Sequence, residues 1–310
     1  MTAEIKAEFR SGYVSIVGKP NVGKSTLLNT LIGQKVSIVT SKPQTTRNRI
    51  IGIKTTGEAQ VIFIDTPGIH RPRHRLGELM VKRAREALSG MDIVLLMVEP
   101  SRPLPADLAI IRLLKGRTPV RGGGTAASKT PVFLLINKID TVAKAKLLPV
   151  MDQYIGLYPF GEVIPVSALK GDGMDILLRA VTDRLPPGPK YYPEDLATDQ
   201  LERFMVSEII REKVMEATEE EVPHAAAVEV IEWAERPDGL VSIGANIYVE
   251  RMGQKGIIIG KQGMRLKSIG TAARRDIESL LNTKVYLDLW VKVKAEWRRR
   301  EANLIELGFK

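Results

Sequence analysis

From Tyr13 to about Arg184 the chain alternates short, near-continuous apolar runs with stretches of helical period. The runs predict strands at Tyr13–Val17, Ile50–Thr55, Gln60–Asp65, Ile93–Val98, Val132–Asn137 and Glu162–Val166. Between them the spacing predicts helices at Lys24–Ile32, Gly77–Ser89, Pro105–Lys115, Ala143–Gly156 and Met174–Arg184. Strands that are apolar at nearly every position, separated by helices, belong to a parallel sheet covered on both faces. The Thr-Gly-Glu turn between Ile50–Thr55 and Gln60–Asp65 adds one antiparallel edge pair. The expectation is therefore a doubly wound, mainly parallel α/β domain over residues 1–184.

The pattern then changes. Residues 185–200 carry four prolines and read as a semi-rigid linker. Residues 201–310 read as a smaller α+β domain: a helix from about Gln200 to Ala217, strands His224–Glu232 and Val241–Val249, a Gly-framed turn and a helix to about Asn282. Strand Lys284–Leu289 and a basic terminal helix starting at Trp290 complete it, with Trp290 expected in the core and Arg298–Arg300 solvated. Residues 117–129, with three consecutive glycines and no apolar period, read as a surface loop.

The 310 residues suit two domains at roughly one per 150 residues. No apolar run approaches the roughly 18 residues of a membrane span, and no secretory leader is expected. With no cysteine, disulfides and thiolate zinc sites are excluded, which suits a reducing cytoplasm. His70, His74 and His224 are isolated along the chain and suggest no metal cluster. The net charge of +10 is unevenly spread. Residues 201–250 hold four basic and twelve acidic residues, whereas 251–310 hold fourteen basic and six acidic ones. A C-terminal unit so polarised points to a polyanion, nucleic acid first.

Four short motifs supply the chemistry. Gly18-Lys19-Pro20-Asn21-Val22-Gly23-Lys24-Ser25, between a predicted strand and helix, fits G-x-x-x-x-G-K-[ST]. In such a loop backbone N–H groups wrap phosphates, Lys24 reaches the β- and γ-phosphates and Ser25 ligates Mg²⁺; Thr26 is grouped with them. Asp65-Thr66-Pro67-Gly68 follows the third strand, Asp65 on the magnesium side and the Gly68 N–H toward the γ-phosphate. Asn137-Lys138-Ile139-Asp140 fits N-K-x-D: the Asp140 carboxylate can accept from both the ring N–H and the amine of guanine, a donor pair adenine lacks. Asn137 braces the loops, the Lys138 stem packs on the base, and Ser167-Ala168 offer N–H groups to the guanine carbonyl. The nucleotide is GTP rather than ATP.

With these motifs the chain resembles translation-factor-like GTPases, in the branch with G-x-P-N-x-G-K-S and T-T-R. The resemblance makes Pro43–Arg47 switch I and gives Thr46 to Mg²⁺ and the γ-phosphate, with Thr45 as the alternative. In related GTPases an Asn at position 21 helps hold K⁺ against the phosphates. The residue after Gly68 is Ile69, where many such switches place a water-orienting Gln, so the attacking water falls to switch backbone and Thr45 or Thr46.

In the C-terminal domain Gly260-Lys261-Gln262-Gly263 follows the β-branched run Ile257–Ile259, read as a strand, and precedes a helical pattern rich in Arg265, Lys267, Arg274 and Arg275. A G-x-x-G loop of this kind clamps single-stranded RNA in KH domains, and the element order fits type II. A GTPase domain followed by a KH domain is similar to the Era family of bacterial GTPases, over nearly the whole chain. That resemblance implies binding near the 3′ end of 16S ribosomal RNA and a part in 30S subunit assembly, while Ile69 in place of a water-orienting Gln predicts slow basal GTP hydrolysis. It also implies a cytoplasmic monomer and leaves peripheral membrane association open. Two alternatives are a non-catalytic GTP-holding adaptor on RNA or membrane, and a tRNA-modifying GTPase; the latter group relies on a C-terminal cysteine that this chain lacks.

Overall fold

The structure, a computed structural model, describes residues 8–69, 72, 74–116 and 130–309. His70 and the expected surface loop 117–129 lie outside the described residues. The chain divides into two compact units. The first is Met1–Ser37, Thr46–Arg71 and Met80–Asp199; the second is Gln200–Lys310 with Ile38–Thr45 and Pro72–Leu79.

The first unit is built on β1 (Arg10–Gly18), β2 (Ile50–Thr55), β3 (Ala59–Asp65), β4 (Ile93–Val98), β5 (Val132–Ile136) and β6 (Glu162–Pro165). They form one sheet in the order β2-β3-β1-β4-β5-β6. Only β2 runs antiparallel, against β3, so the doubly wound arrangement with one antiparallel edge is observed. Every residue of β3, β4 and β5 is buried, which is why those stretches are almost continuously apolar, broken only by Gln60 and Asp65 of β3. Helices α1 (Lys24–Ile32), α2 (Arg75–Glu86), α3 (Pro105–Lys115), α4 (Leu147–Ile155) and α5 (Met174–Arg184) connect them. The helix expected from Ala143 opens instead as a 3-10 turn at Lys144–Lys146 before α4. Because β1 lies between β3 and β4, the strand order reverses there. In open α/β sheets the crevice at such a switch point, beyond the carboxyl ends of the strands, takes the ligand.

The proline-rich stretch clusters with this unit as far as Asp199. Buried Gln60 holds it with both ends of its amide: Oε1 accepts the N–H groups of Tyr191 and Tyr192, and Nε2 donates to the Tyr192 carbonyl as well as to Thr55 of β2. Further along, Ile53 N–H donates to the Ala197 carbonyl, and the Thr198 hydroxyl to that of Ile51.

The second unit holds α6 (Glu202–Ala217), α7 (Val222–Ala225), β7 (Ala227–Glu235), β8 (Val241–Val249), α8 (Met252–Ile259), α9 (Met264–Leu281), β9 (Val285–Val293) and α10 (Glu301–Glu306). The sheet order is β7-β8-β9, with β8 antiparallel to β7 and parallel to β9. Its core joins Ile209 and Ile210 of α6, Ile243 and Ile247 of β8, Ile258 of α8, and Ile269 and Ile277 of α9. Buried Arg211 and Glu212 on α6 are satisfied inside the unit: Arg211 by Glu208 and the Thr45 carbonyl, Glu212 by the Val39 N–H.

Three expectations are corrected here. Residues 222–225 form a helical turn with Pro223 near its start, so the strand expected from His224 begins at Ala227. The run Ile257–Ile259 ends helix α8 instead of forming a strand. The Gln254 side-chain Oε1 accepts the Glu250 and Arg251 N–H groups at the start of α8, and burial of Ile258 in the core overrides β propensity. Finally, the long terminal helix is absent: β9 continues through Val293 in register with β8, reading the alternation of L-W-V-K-V as a strand. Left-handed Glu296 (φ 52°) follows, and α10 spans only Glu301–Glu306. Trp290 accordingly lies on the strand, 37% exposed; the core tryptophan is Trp297, whose Nε1 donates to the Ala225 carbonyl and whose ring stacks on Phe309.

Candidate functional site

The loop after β1 closes on Gly23, whose φ of +105° favours glycine. A Cβ there would sit 2.3 Å from the Asn137 side-chain nitrogen. Lys24 starts α1 with its ammonium folded back onto the carbonyls of Gly18 (3.3 Å) and Lys19 (3.0 Å). Burial pulls its pKa down to about 8, against the opposing attraction of Asp65. Pro20 and Val22 complete the turn, Val22 with no exposure, and Thr26 stands in the first turn of α1.

Asp65, at the end of β3, is fully buried. Three hydroxyls converge on its Oδ2: Ser25 at 2.6 Å, Thr46 at 3.2 Å and Ser37 at 3.3 Å. The Ser25 and Thr46 hydroxyl oxygens are 2.9 Å apart, and Asp65 Oδ1 is buried with no hydrogen-bond partner. Burial pushes the Asp65 carboxyl up, opposed by Lys24 and by those three hydroxyls. An all-oxygen donor set around a carboxylate with an unsatisfied oxygen suits a hard cation such as Mg²⁺. Of the two switch I threonines, Thr46 is the one at Asp65; the Thr45 hydroxyl bonds Thr40 (2.7 Å) and the Lys42 carbonyl (2.7 Å).

Beyond Asp65, the Thr66 hydroxyl donates to the Ile16 carbonyl, so its side chain serves the strand and not a ligand. Pro67 and Gly68 are buried, and Ile69 donates its N–H to the Gly18 carbonyl while its partly buried side chain packs against the cluster that holds Leu96 and Ile136.

The base-side loops are braced by Asn137, whose Nδ2 donates to the Val22 carbonyl (2.8 Å) and whose Oδ1 accepts the Ala168 N–H (2.9 Å). The Ser167 N–H donates to the Asp172 carbonyl (3.0 Å), so both N–H groups expected at the guanine carbonyl are engaged within the protein. Ser167 donates to Asp140 Oδ1 at 2.6 Å, aligning the carboxylate. Lys138 donates to the Asn21 carbonyl at 2.9 Å.

Two residues here escaped sequence reasoning. Asn29 accepts the Val36 and Ser37 N–H groups and donates to the Ser37 carbonyl, fixing the approach to switch I from inside α1. Glu99, just past β4, contacts both Lys19 and Lys138. Neither lies in a motif, and only the sheet order brings Glu99 beside the loop after β1.

In the second unit the G-x-x-G joins two helices. Gly260 takes φ 71° and ψ −179°, and Gln262 is left-handed at φ 51°; Lys261 and Gln262 are exposed. A groove of about 380 Å³ runs beside it, lined by Gly263, Leu266, Lys267 and Arg274 from the loop and α9 and by Leu287 and Leu289 of edge strand β9. Lys267 and Arg274 thus meet in one groove. Arg265 instead donates to the Ile257 carbonyl, capping α8, and exposed Arg275 stands outside the groove lining.

Comparison with known proteins agrees with this division. Residues 13–138 match the family described as 50S ribosome-binding GTPase, and residues 221–298 match the KH domain family. The chain is 50% identical to GTPase Era of Ruminiclostridium cellulolyticum and 52% identical to GTPase Era of Geobacter metallireducens, over 97% of this chain and 98% of each relative. It superposes with a TM-score of 0.90, at 41% identity, on a crystal structure of a point variant of Aquifex aeolicus Era bound to GDP and AlF4⁻, covering 97% of this chain and 99% of that one. An Era complex with MgGDPNP and nucleotides 1506–1542 of 16S ribosomal RNA also matches with a TM-score of 0.90, at 42% identity and the same coverage. By sequence, domain order and fold, the chain is a GTPase and belongs to the Era family.

Proposed function

We propose that this protein uses GTP binding and hydrolysis to control its grip on the 3′ region of 16S ribosomal RNA during assembly of the 30S subunit. The observation that carries this reading is the pairing, in one chain, of the Ser25–Thr46–Asp65 convergence with a G-x-x-G groove flanked by cations. A relative matched over 97% of the chain holds MgGDPNP and that RNA segment.

In this mechanism Lys24 and the backbone N–H groups of the loop from Gly18 to Thr26, Pro20 excepted, bind the phosphates, while Asp140, aligned by the Ser167 hydroxyl, and Lys138 take the guanine. Ser25, Thr46 and Asp65 would hold Mg²⁺, which neutralises charge on the phosphate oxygens when bound. Asn21 would help hold K⁺, which when bound can supply the charge an arginine finger supplies elsewhere. The Gly68 N–H senses the γ-phosphate. Ile69 has no hydrogen-bonding atom in its side chain, which packs partly buried against the core, so the attacking water is left to the switch backbone.

Among the described residues no helix is long and apolar enough to cross a membrane. We read the protein as a cytoplasmic monomer, with its basic C-terminal stretch as the surface for any peripheral membrane contact. Fluorescence polarisation with an oligoribonucleotide spanning 1506–1542 tests the coupling. Affinity should be highest with GDPNP and fall with GDP; equal affinity in both, and without nucleotide, removes it.

A further inference from the structure

We infer that Glu99 is a positioning residue for guanine recognition, holding Lys138 over the base and tying it to the phosphate loop. This rests on the reading that Lys138 and Asp140 meet the base.

Glu99 stands one residue past the carboxyl end of β4, between β1 and β5, the strands that launch the phosphate loop and the N-K-x-D loop. Its two oxygens are divided between those loops: Oε2 lies 2.5 Å from the Lys19 ammonium and Oε1 2.6 Å from that of Lys138. Burial raises the Glu99 carboxyl, but bonds from Lys138 and Lys19 outweigh it and leave it below the ordinary value, so the group is ionised at neutral pH. The Lys138 ammonium also donates to the Asn21 carbonyl at 2.9 Å. A single carboxylate therefore closes a chain from Lys19 through Lys138 to Asn21.

That chain joins two backbone outliers. Asn21 (φ 61°) and Lys138 (φ 63°) are both non-glycine residues in the left-handed region. Such conformations persist where surrounding contacts over-determine them, and they gather at functional sites. The Glu99 bridge supplies that constraint. A lysine stem used as a flat surface under a base must hold one conformation, and long side chains lose considerable freedom in doing so. Fixing the far end of Lys138 on Glu99 and Asn21 removes that freedom before guanine arrives, a form of preorganisation.

The test is a double-mutant cycle on binding of fluorescent GDP and on GTP hydrolysis. Glu99→Ala should weaken GDP binding about tenfold, mainly through faster release, and raise KM for GTP by a similar factor. At saturating GTP, kcat should stay within about twofold. Lys138→Ala should weaken binding at least as much, and the double variant no more than Lys138→Ala alone. Glu99→Gln, which keeps a hydrogen-bond acceptor, should lie between wild type and Glu99→Ala. Matching melting temperatures in EDTA-treated protein separate these effects from folding.

Binding losses that multiply in the double variant, or a fall in kcat with unchanged KM, overturn the inference. If Lys138→Ala and Asp140→Ala both weaken binding while Glu99→Ala does not, the base reading stands and the Glu99 role fails. Full GDP affinity in Lys138→Ala and Asp140→Ala removes the base reading, and the inference with it.

Discussion

Lys24 sits where a cation is useful to a phosphate and costly to the fold. Its pKa is pulled from 10.5 to about 8 by burial, so between these values the unfolded chain binds more protons than the folded one. Stability should then rise as pH climbs from about 8 to 10.5, and below about 8 the penalty is complete. Lys24→Met should therefore stabilise the EDTA-treated, nucleotide-stripped protein at pH 7 by about 2–3 kcal/mol, an advantage that vanishes by pH 10.5. Chemical denaturation at several pH values checks this, and the same variant should lose at least a hundredfold in GTP hydrolysis. The motif residues were legible in sequence because phosphate, Mg²⁺ and guanine each demand a fixed residue type at a fixed spacing. Asn29 and Glu99 were not, since each acts through a pairing between segments remote in sequence. The same limit left Thr45 and Thr46 open until their hydroxyls were seen to point to different partners.

At the level of elements, α9 presents Lys267 and Arg274 to the groove while Arg265 is spent on the end of α8. Lys267→Ala should weaken RNA binding similarly across sequences and flatten the slope of log K against log salt by about 0.7, the share of one phosphate on a single strand. Arg275→Ala should leave that slope nearly unchanged. Gly260→Ala meets both a φ of +71° and a Cβ contact of 2.8 Å with Arg265, so it should abolish RNA binding while leaving GTP hydrolysis intact. Polarisation at a series of KCl concentrations reads all three. The sheet of the first unit could be read from sequence because strands buried on both faces leave nearly continuous apolar runs. The second unit was harder: Ile257–Ile259 has strand propensity but is held in a helix by packing of Ile258, and the stretch from Trp290 to Val293 alternates with a period of two, although its basic residues suggested a helix.

For the whole molecule, GTP turnover in K⁺ should exceed that in Na⁺ at equal ionic strength, and Asn21→Ala should remove the difference. Multiple-turnover phosphate release checks both, and rates indifferent to the ion remove the K⁺ role. Ile69→Gln should give little gain in the same assay, because residue 69 packs partly buried against the core. The sequence reads 185–200 as a semi-rigid linker, and Gln60 and the edge of β2 hold that stretch as far as Thr198. This has a consequence for where the chain can be cut. β2 is a sheet edge, and an edge with unpaired N–H and C=O groups recruits other chains. The Ile51 carbonyl and the Ile53 N–H are masked by Thr198 and Ala197. A fragment ending at Arg184 should therefore self-associate through β2, whereas one ending at Asp199 should stay monodisperse by light scattering. The prolines that look like a spacer would then be a guard on the sheet, protecting the GTPase domain from aggregation.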